Sequence, residues 1–319
     1  MCRELPFTPY HFTENPHVQT VLNSVFDFAP RPLAVQKLIR LADGDRISLE
    51  ITTPAKWQKG DPTVFLIHGL CGSHDSIYIR RMVNRLEPLG IRSIRFNMRG
   101  WGSGDGLSRR TFHIGQSEDV FECVKAVKSE CPESPITLIA YSLGGNLALK
   151  MAGELGSFAC SFVDQIIAVC PCIDTYSSML LFALPENKWY EQFFYGYLRD
   201  YIHSYCARYP EFPRFSLPKK MKLYEFDQHV TVPLHGFANP NDYHYKCSSI
   251  YVIDQIQVPC KILYSEDDPI IHAQLFHSLS LPNHVELYKT QKGGHMGFYG
   301  WAEGQKGIYW LDDTLEKWI

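Results

Sequence analysis

Ser142 stands in the run Ala140-Tyr141-Ser142-Leu143-Gly144-Gly145, after a β-rich stretch and before a stretch of helical composition. A serine on so sharp a strand-to-helix turn is held clear of both elements, with its hydroxyl open to a reactant. Small residues two before and two after it let the helix start pack close to the strand. Gly144 fills the second place, and Ala140 stands in the first, where the G-x-S-x-G pattern has glycine. Ser142 also opens a helix, where backbone N–H groups favour developing negative charge. The competing role for such a serine is a plain helix cap, and Ser-Leu-Gly-Gly alone does not choose between them.

A serine hydroxyl is a weak nucleophile. It needs a base, and the base needs an orienting acid. On a parallel α/β sheet these follow in the order Ser, acid, His. After Ser142 the chain offers Tyr264-Ser265-Glu266-Asp267-Asp268-Pro269 and then Lys292-Gly293-Gly294-His295-Met296-Gly297, each following a β-rich run. His295, flanked by glycines on a loop, has little reason to be a packing residue and is the candidate base. Asp268 is preferred as the acid because it directly precedes the turn into the next helix, Pro269-Ile270-Ile271. Asp267 competes for that role, as a solvated or turn-capping carboxylate if it loses, and Glu266 comes third. The chemistry would be acyl transfer through an acyl-enzyme. Its oxyanion needs two preorganised N–H donors. The amide of Leu143 is one, and Leu70 in His68-Gly69-Leu70-Cys71-Gly72 is the choice for the other. His68 precedes the serine in the wrong order for a base and is read as structural.

These residues need a scaffold, and the chain alternates strands with helices. Thr63–Ile67, Ile91–Phe96, Ile136–Tyr141, Gln165–Cys170, Cys260–Tyr264 and His284–Tyr288 read as strands. Ile77–Leu86, Ser117–Lys128, Gly144–Leu155, a short stretch near 272–280 and Thr314–Ile319 read as helices. Lys37–Ile51 reads as an edge hairpin turning at Asp43-Gly44-Asp45. Such alternation implies a mainly parallel sheet covered on both faces. From about 175 to 254 it stops, and the chain becomes aromatic and proline-rich, as a cap inserted over a site would be. Trp189, Tyr190, Phe193, Phe194, Tyr195 and Tyr197 would suit an apolar acyl or lipid pocket, or equally ordinary helix packing.

In these motifs the chain resembles the YheT-like α/β hydrolases, also called the EMB8-like or AB-hydrolase-4 group, over nearly its whole length. The likeness lies in Asn15-Pro-His17-Val-Gln19-Thr20, in Phe65-Leu-Ile-His-Gly-Leu-Cys-Gly-Ser73, and in Asn97-Met-Arg-Gly100. It continues in Phe112-His113-Ile-Gly115, Glu118-Asp119, Phe226-Asp227, Gly236-Phe237 and Asp242-Tyr243. The resemblance implies a carboxylic-ester hydrolase acting on short-chain or acylglycerol substrates, with Ser142, Asp268 and His295 as its triad. Ala140 departs from that family, which more often has glycine there. His17, Gln19 and His113 belong to its motifs, either shaping the site or bracing the fold. The expectation is therefore one α/β-hydrolase domain over residues 1–319. It would have a mostly parallel, eight-stranded sheet, helices on both faces and a cap at about 175–254.

Composition narrows the alternatives. The chain has 319 residues, 45% of them hydrophobic, enough for one large core. Lys and Arg number 31 against 34 Asp and Glu, which argues against nucleic acid as a partner. The partner expected is a small-molecule or lipid ester. No apolar run reaches the length of a membrane span or a secretion signal, and the ten cysteines are scattered, so a cytoplasmic setting with reduced thiols is expected. No HExxH or His-x-His appears, and neither a metal nor an organic cofactor is expected. An acyltransferase would use the same triad, with an alcohol in place of water. A non-catalytic scaffold on the same fold would be expected to lack a triad member.

Overall fold

Runs of aliphatic residues buried on both faces form parallel strands, because helices cover a parallel sheet on both sides. The structure is a computed structural model that describes residues 2–25, 28–304 and 307–319. Its strands are β1 Arg3–Glu4, β2 Thr8–Pro9, β3 Val35–Arg40, β4 Arg46–Thr52, β5 Thr63–Ile67, β6 Arg92–Phe96, β7 Ile136–Tyr141, β8 Gln165–Val169, β9 Cys260–Ser265, β10 Val285–Thr290 and β11 Gly300–Trp301. Nine of them make one sheet in the order β1-β10-β9-β8-β7-β5-β6-β4-β3, while β2 and β11 pair separately. Only β4 runs against its neighbours β3 and β6. The sheet thus has nine strands, not the expected eight. The ninth, β1, has two exposed residues paired with Tyr288 and Lys289, too short and too polar to leave an alternating pattern in sequence.

The helices are α1 Pro16–Val25, α2 Ile77–Leu86, α3 Ser117–Glu130, α4 Leu143–Leu155, α5 Thr175–Phe182, α6 Lys188–Arg208, α7 Leu223–Phe226, α8 Val232–His235, α9 Pro240–Cys247, α10 Gln274–His277 and α11 Trp310–Trp318. Alternate residues of the central strands feed two cores. Phe65, Ile67, Leu138 and Ala140 join Val120 of α3 and Leu147 of α4 on one face. Val64, Leu66, Ile139 and Tyr141 join Met82 of α2 and Leu315 of α11 on the other. The final helix starts at Trp310, earlier than expected, because Trp310 and Leu311 complete its buried stripe. The helix near 272–280 is a single turn.

Residues 175–254 contain α5 to α9 and no strand. Long, aromatic α6 joins the first core through Tyr190, Tyr195 and Ile202. Among the described residues no helix is long and apolar enough to cross a membrane.

One buried cation anchors the loops near the helical segment. Arg99 bonds Asp119 through two nitrogens at 2.9 and 2.7 Å, Asp43 at 2.7 Å and Asp45 at 2.6 Å. A guanidinium out of water must be paired. This one joins the hairpin turn, the glycine-rich loop and α3, so the residues around Asn97–Gly100 and Asp119 brace the fold.

Candidate active site

Ser142 occupies the step between β7, central in the sheet, and α4, with φ 52° and ψ −118°. That backbone conformation is costly for a residue with a Cβ. Packing on both sides holds it: Ser142 N–H donates to Val169 O at 2.9 Å, and Ser142 O accepts from Asn146 and Cys172. The close approach of α4 requires glycine at 144, where a Cβ would lie 2.5 Å from His68 O. Ala140 is fully buried, paired between Ile67 and Ala168, so its methyl fits the strand position where the motif has glycine.

His295 Nε2 lies 2.8 Å from Ser142 Oγ, and its Nδ1 lies 2.8 Å from Asp268 Oδ2. The other carboxylate oxygen of Asp268 accepts the N–H groups of Ile270 and Ile271 at 2.8 and 2.9 Å. Those two bonds fix which oxygen faces the imidazole. With Nδ1–H donating to Asp268, Nε2 is left to accept from the serine hydroxyl. Asp267 is half-buried, and its Oδ1 accepts from Ser265 Oγ at 2.6 Å and from Gly294 N–H at 2.9 Å. It ties the acid loop to the histidine loop, and burial raises its carboxyl pKa. Glu266 points away, to Lys289 at 2.8 Å and His277 at 3.0 Å.

The loop carrying His295 leans on α1, an element that went unread in the sequence. Asn15 caps α1, its side chain accepting His17 N–H at 2.8 Å, with Pro16 in the first helical position. Thr20 Oγ1 accepts the N–H of His295 at 2.9 Å. Gln19 is fully buried and holds Tyr299 through both its N–H and its C=O at 2.7 and 3.0 Å. A Cβ at Gly294 would lie 2.4 Å from Pro16 O, and one at Gly297 2.4 Å from Gln19 O. The glycines around His295 are thus what lets two backbones touch. Gln19 braces this loop. His17 instead meets the helical segment, with Nδ1 3.2 Å from Tyr190 OH.

Leu70 sits in the turn closed by Gly72 N–H on Gly69 O at 3.1 Å, followed by Cys71 at φ 59°. Among the described residues no protein acceptor faces the N–H of Leu70 or Leu143, and both residues line one cavity with Ser142 and His295. His68 anchors the turn: Nδ1–H donates to Gly69 O at 2.7 Å, and Nε2 accepts Met98 N–H at 3.1 Å. Burial lowers its pKa to about 4, which keeps that neutral tautomer.

The cavity has a volume of about 610 Å³ and is walled by α6 residues Trp189, Tyr190, Phe193 and Tyr197. His113 also lines it; its Nδ1 accepts Gly115 N–H at 3.2 Å, and its ring meets that of His235 at 4.7 Å. Cys170, Asp268 and His295 bring three donor atoms within 4.8 Å of one another. Both nitrogens of His295 are committed to Ser142 and Asp268, and burial holds the Cys170 thiol protonated, so the group already satisfies itself.

A sequence profile described as the alpha/beta hydrolase fold matches residues 62–300. The chain is similar to the putative esterase YheT of Escherichia coli, at 26% identity over 98% of this chain and 92% of that one. It is similar to the phospholipase ABHD3 of Homo sapiens, at 27% over 94% and 75%. It is also similar to the monoacylglycerol lipase ABHD2 of Danio rerio, at 24% over 96% and 75%.

Proposed function

The chain belongs to the family of the alpha/beta hydrolase fold, and on that premise we propose that it is a serine hydrolase cleaving carboxylic esters through an acyl-enzyme on Ser142. One observation carries this reading: the hydrogen-bonded line from Asp268 through His295 to Ser142. The names of its relatives span esterase, phospholipase and monoacylglycerol lipase, which share a carboxylic ester and differ in the alcohol.

The reaction follows from these atoms. His295 Nε2 takes the proton as Ser142 Oγ attacks the ester carbonyl. Asp268 stabilises the imidazolium, and the N–H groups of Leu70 and Leu143 receive the developing oxyanion. The imidazolium then protonates the leaving alcohol. Water, deprotonated by the same nitrogen, releases the acid and restores Ser142. Residues 175–254 act as a cap, with the α6 aromatics along the acyl chain. The ten free cysteines fit a reducing, cytoplasmic setting.

A fluorophosphonate probe tests this directly. It should label Ser142 in the native protein and nothing in Ser142→Ala. Ser142→Ala and His295→Ala should each slow hydrolysis of p-nitrophenyl esters by about 10⁴–10⁶, with little further loss in the double variant. Labelling at a different serine, or independent multiplying losses, would overturn the assignment.

A further inference from the structure

The acid of the proposed triad is held by more than its own loop. Asp268 Oδ1 accepts the N–H of Ile270 at 2.8 Å. That N–H shares a peptide group with the C=O of Pro269, and the two point opposite ways across a trans peptide. The Pro269 oxygen accepts in turn from Asn187 Nδ2 at 2.8 Å. Asn187 comes from a distant part of the chain, just before α6 in the helical segment 175–254. One line of hydrogen bonds therefore runs from Asn187 through a single peptide unit to Asp268, and on to His295 and Ser142 at 2.8 Å each. Bonds in such a line polarise one another, so a donor on the C=O strengthens the N–H beyond it. A planar peptide also turns as a unit, and holding its oxygen fixes the direction of its N–H.

Asn187 forgoes its local role to make this contact. It occupies the N-cap position of α6, where an asparagine oxygen usually accepts an N–H from the first turn. Its side chain makes no such bond, and Oδ1 is buried without a hydrogen-bond partner. The amide nitrogen instead serves two carbonyls, Leu181 O at 3.0 Å and Pro269 O at 2.8 Å. Those partners fix which amide atom is which, because a flipped amide would set its oxygen against both carbonyl oxygens. The residue is only 2% exposed, so bulk water does not replace either bond. An asparagine serving its helix alone would turn its oxygen to the helix; this one aims its nitrogen at the loop of the acid. Further along α6, Gln192 makes the same kind of bond, with Nε2 donating to Met221 O at 3.1 Å. Among the described residues no hydrogen bond joins Met221 to Ser142, Asp268 or His295.

We infer that Asn187 is a positioning residue for the reaction: it sets the peptide that holds Asp268, and it acts on Ser142 only through Asp268 and His295. The inference rests on the ester-hydrolase reading. Asn187→Ala removes the donor and should lower kcat on p-nitrophenyl esters of every chain length by about 3- to 10-fold, the scale of one hydrogen bond, with KM unchanged. Gln192→Ala removes the equivalent bond elsewhere on α6 and should stay within about twofold of the native kcat. The decisive arm is a double-mutant cycle, read as the rate at which a fluorophosphonate labels Ser142. In the Asp268→Asn background, Asn187→Ala should change that rate by less than about twofold, because the acid it serves is already gone. A merely structural role would repeat the full loss in that background and overturn the inference. So would a loss that falls on KM, or an equal loss in Gln192→Ala. Asn187→Leu fills the space without a donor and is the second variant should Asn187→Ala not fold; it should show the same loss of kcat. If neither folds, Asn187 serves folding and the inference fails. A native kcat in Asn187→Ala overturns it and leaves the hydrolase standing. A native protein that neither cleaves esters nor takes the probe fails the hydrolase reading itself, and the inference with it.

Discussion

The sheet side and the helical side of the cavity are held by different kinds of contact. On the sheet side, backbone touches backbone: a Cβ at Gly144, Gly294 or Gly297 would come within 2.4–2.5 Å of a carbonyl oxygen. On the helical side, α6 is held by side chains. Tyr201 stacks on Trp101 with ring centroids 4.9 Å apart, and Tyr190 stacks on His17 at 5.8 Å. Trp189, Phe193 and Tyr197 remain about half exposed at 46%, 49% and 47% while lining the cavity. Chemistry on a serine tolerates displacements of only about half an ångström. Recognition of an alkyl chain tolerates more, because dispersion and burial are not directional. The backbone contacts lie where position matters most.

The sharpest way to break this contrast is at the acid. Asp268→Asn should lower the rate by about 10⁴, because it favours the wrong imidazole tautomer and removes the charge. Asp267→Asn should cost less than about tenfold. Its amide oxygen still accepts from Ser265 Oγ and Gly294 N–H, the two bonds that Asp267 makes. Both variants should melt near the native temperature. If Asp267→Asn is the dead variant, the acid has been misassigned.

The next effect compares the two sides at equal remove from the chemistry. Thr20→Val removes the acceptor for His295 N–H and should lower kcat by about 3- to 10-fold on every ester, whatever its chain length. Trp189→Ala should instead raise KM by a similar factor, more for long acyl chains than for short ones. A chain-length dependence in Thr20→Val, or a uniform kcat loss in Trp189→Ala, would erase the distinction.

The smallest effect is on stability. His68 on the sheet side and His235 on the helical side both have pKa values lowered to about 4, chiefly by burial. Above the unfolded value of about 6.5 both states are neutral, and this stabilisation is fully present. As pH falls from about 6.5 towards 4, the unfolded chain binds protons that the folded one refuses. Stability should then drop by at most about 1.4 kcal/mol per pH unit for each group. Urea midpoints measured across that range check it, and His235→Gln should shallow the slope. A midpoint independent of pH would show that neither ring is held neutral.

Local pattern carried much of the architecture. Helix α2 and strands β5 and β7 have the boundaries read from periodicity, because apolar spacing along one element reports that element's own buried face. The order Ser142, Asp268, His295 was legible for a similar reason, since each lies just past an apolar run. What the chain could not reveal locally were contacts between distant segments. Strand β1 is two exposed residues made regular only by pairing with β10. Helix α1 supports His295 through Thr20, 275 positions away. The motif Asn15–Thr20 was visible as a resemblance, but nothing in its spacing says what it touches. Asp267 and Asp268 are chemically identical neighbours, and only the directions of their side chains separate them, one to Gly294 N–H and one to the His295 ring. Asp227 and His244 likewise come within 3.3 Å only because the turn after α7 packs against α9. Sequence by itself determined the elements and the order of reactive groups along them. Which of those groups meet was left to tertiary packing, because a hydrogen bond depends on distance and angle in space and not on separation along the chain.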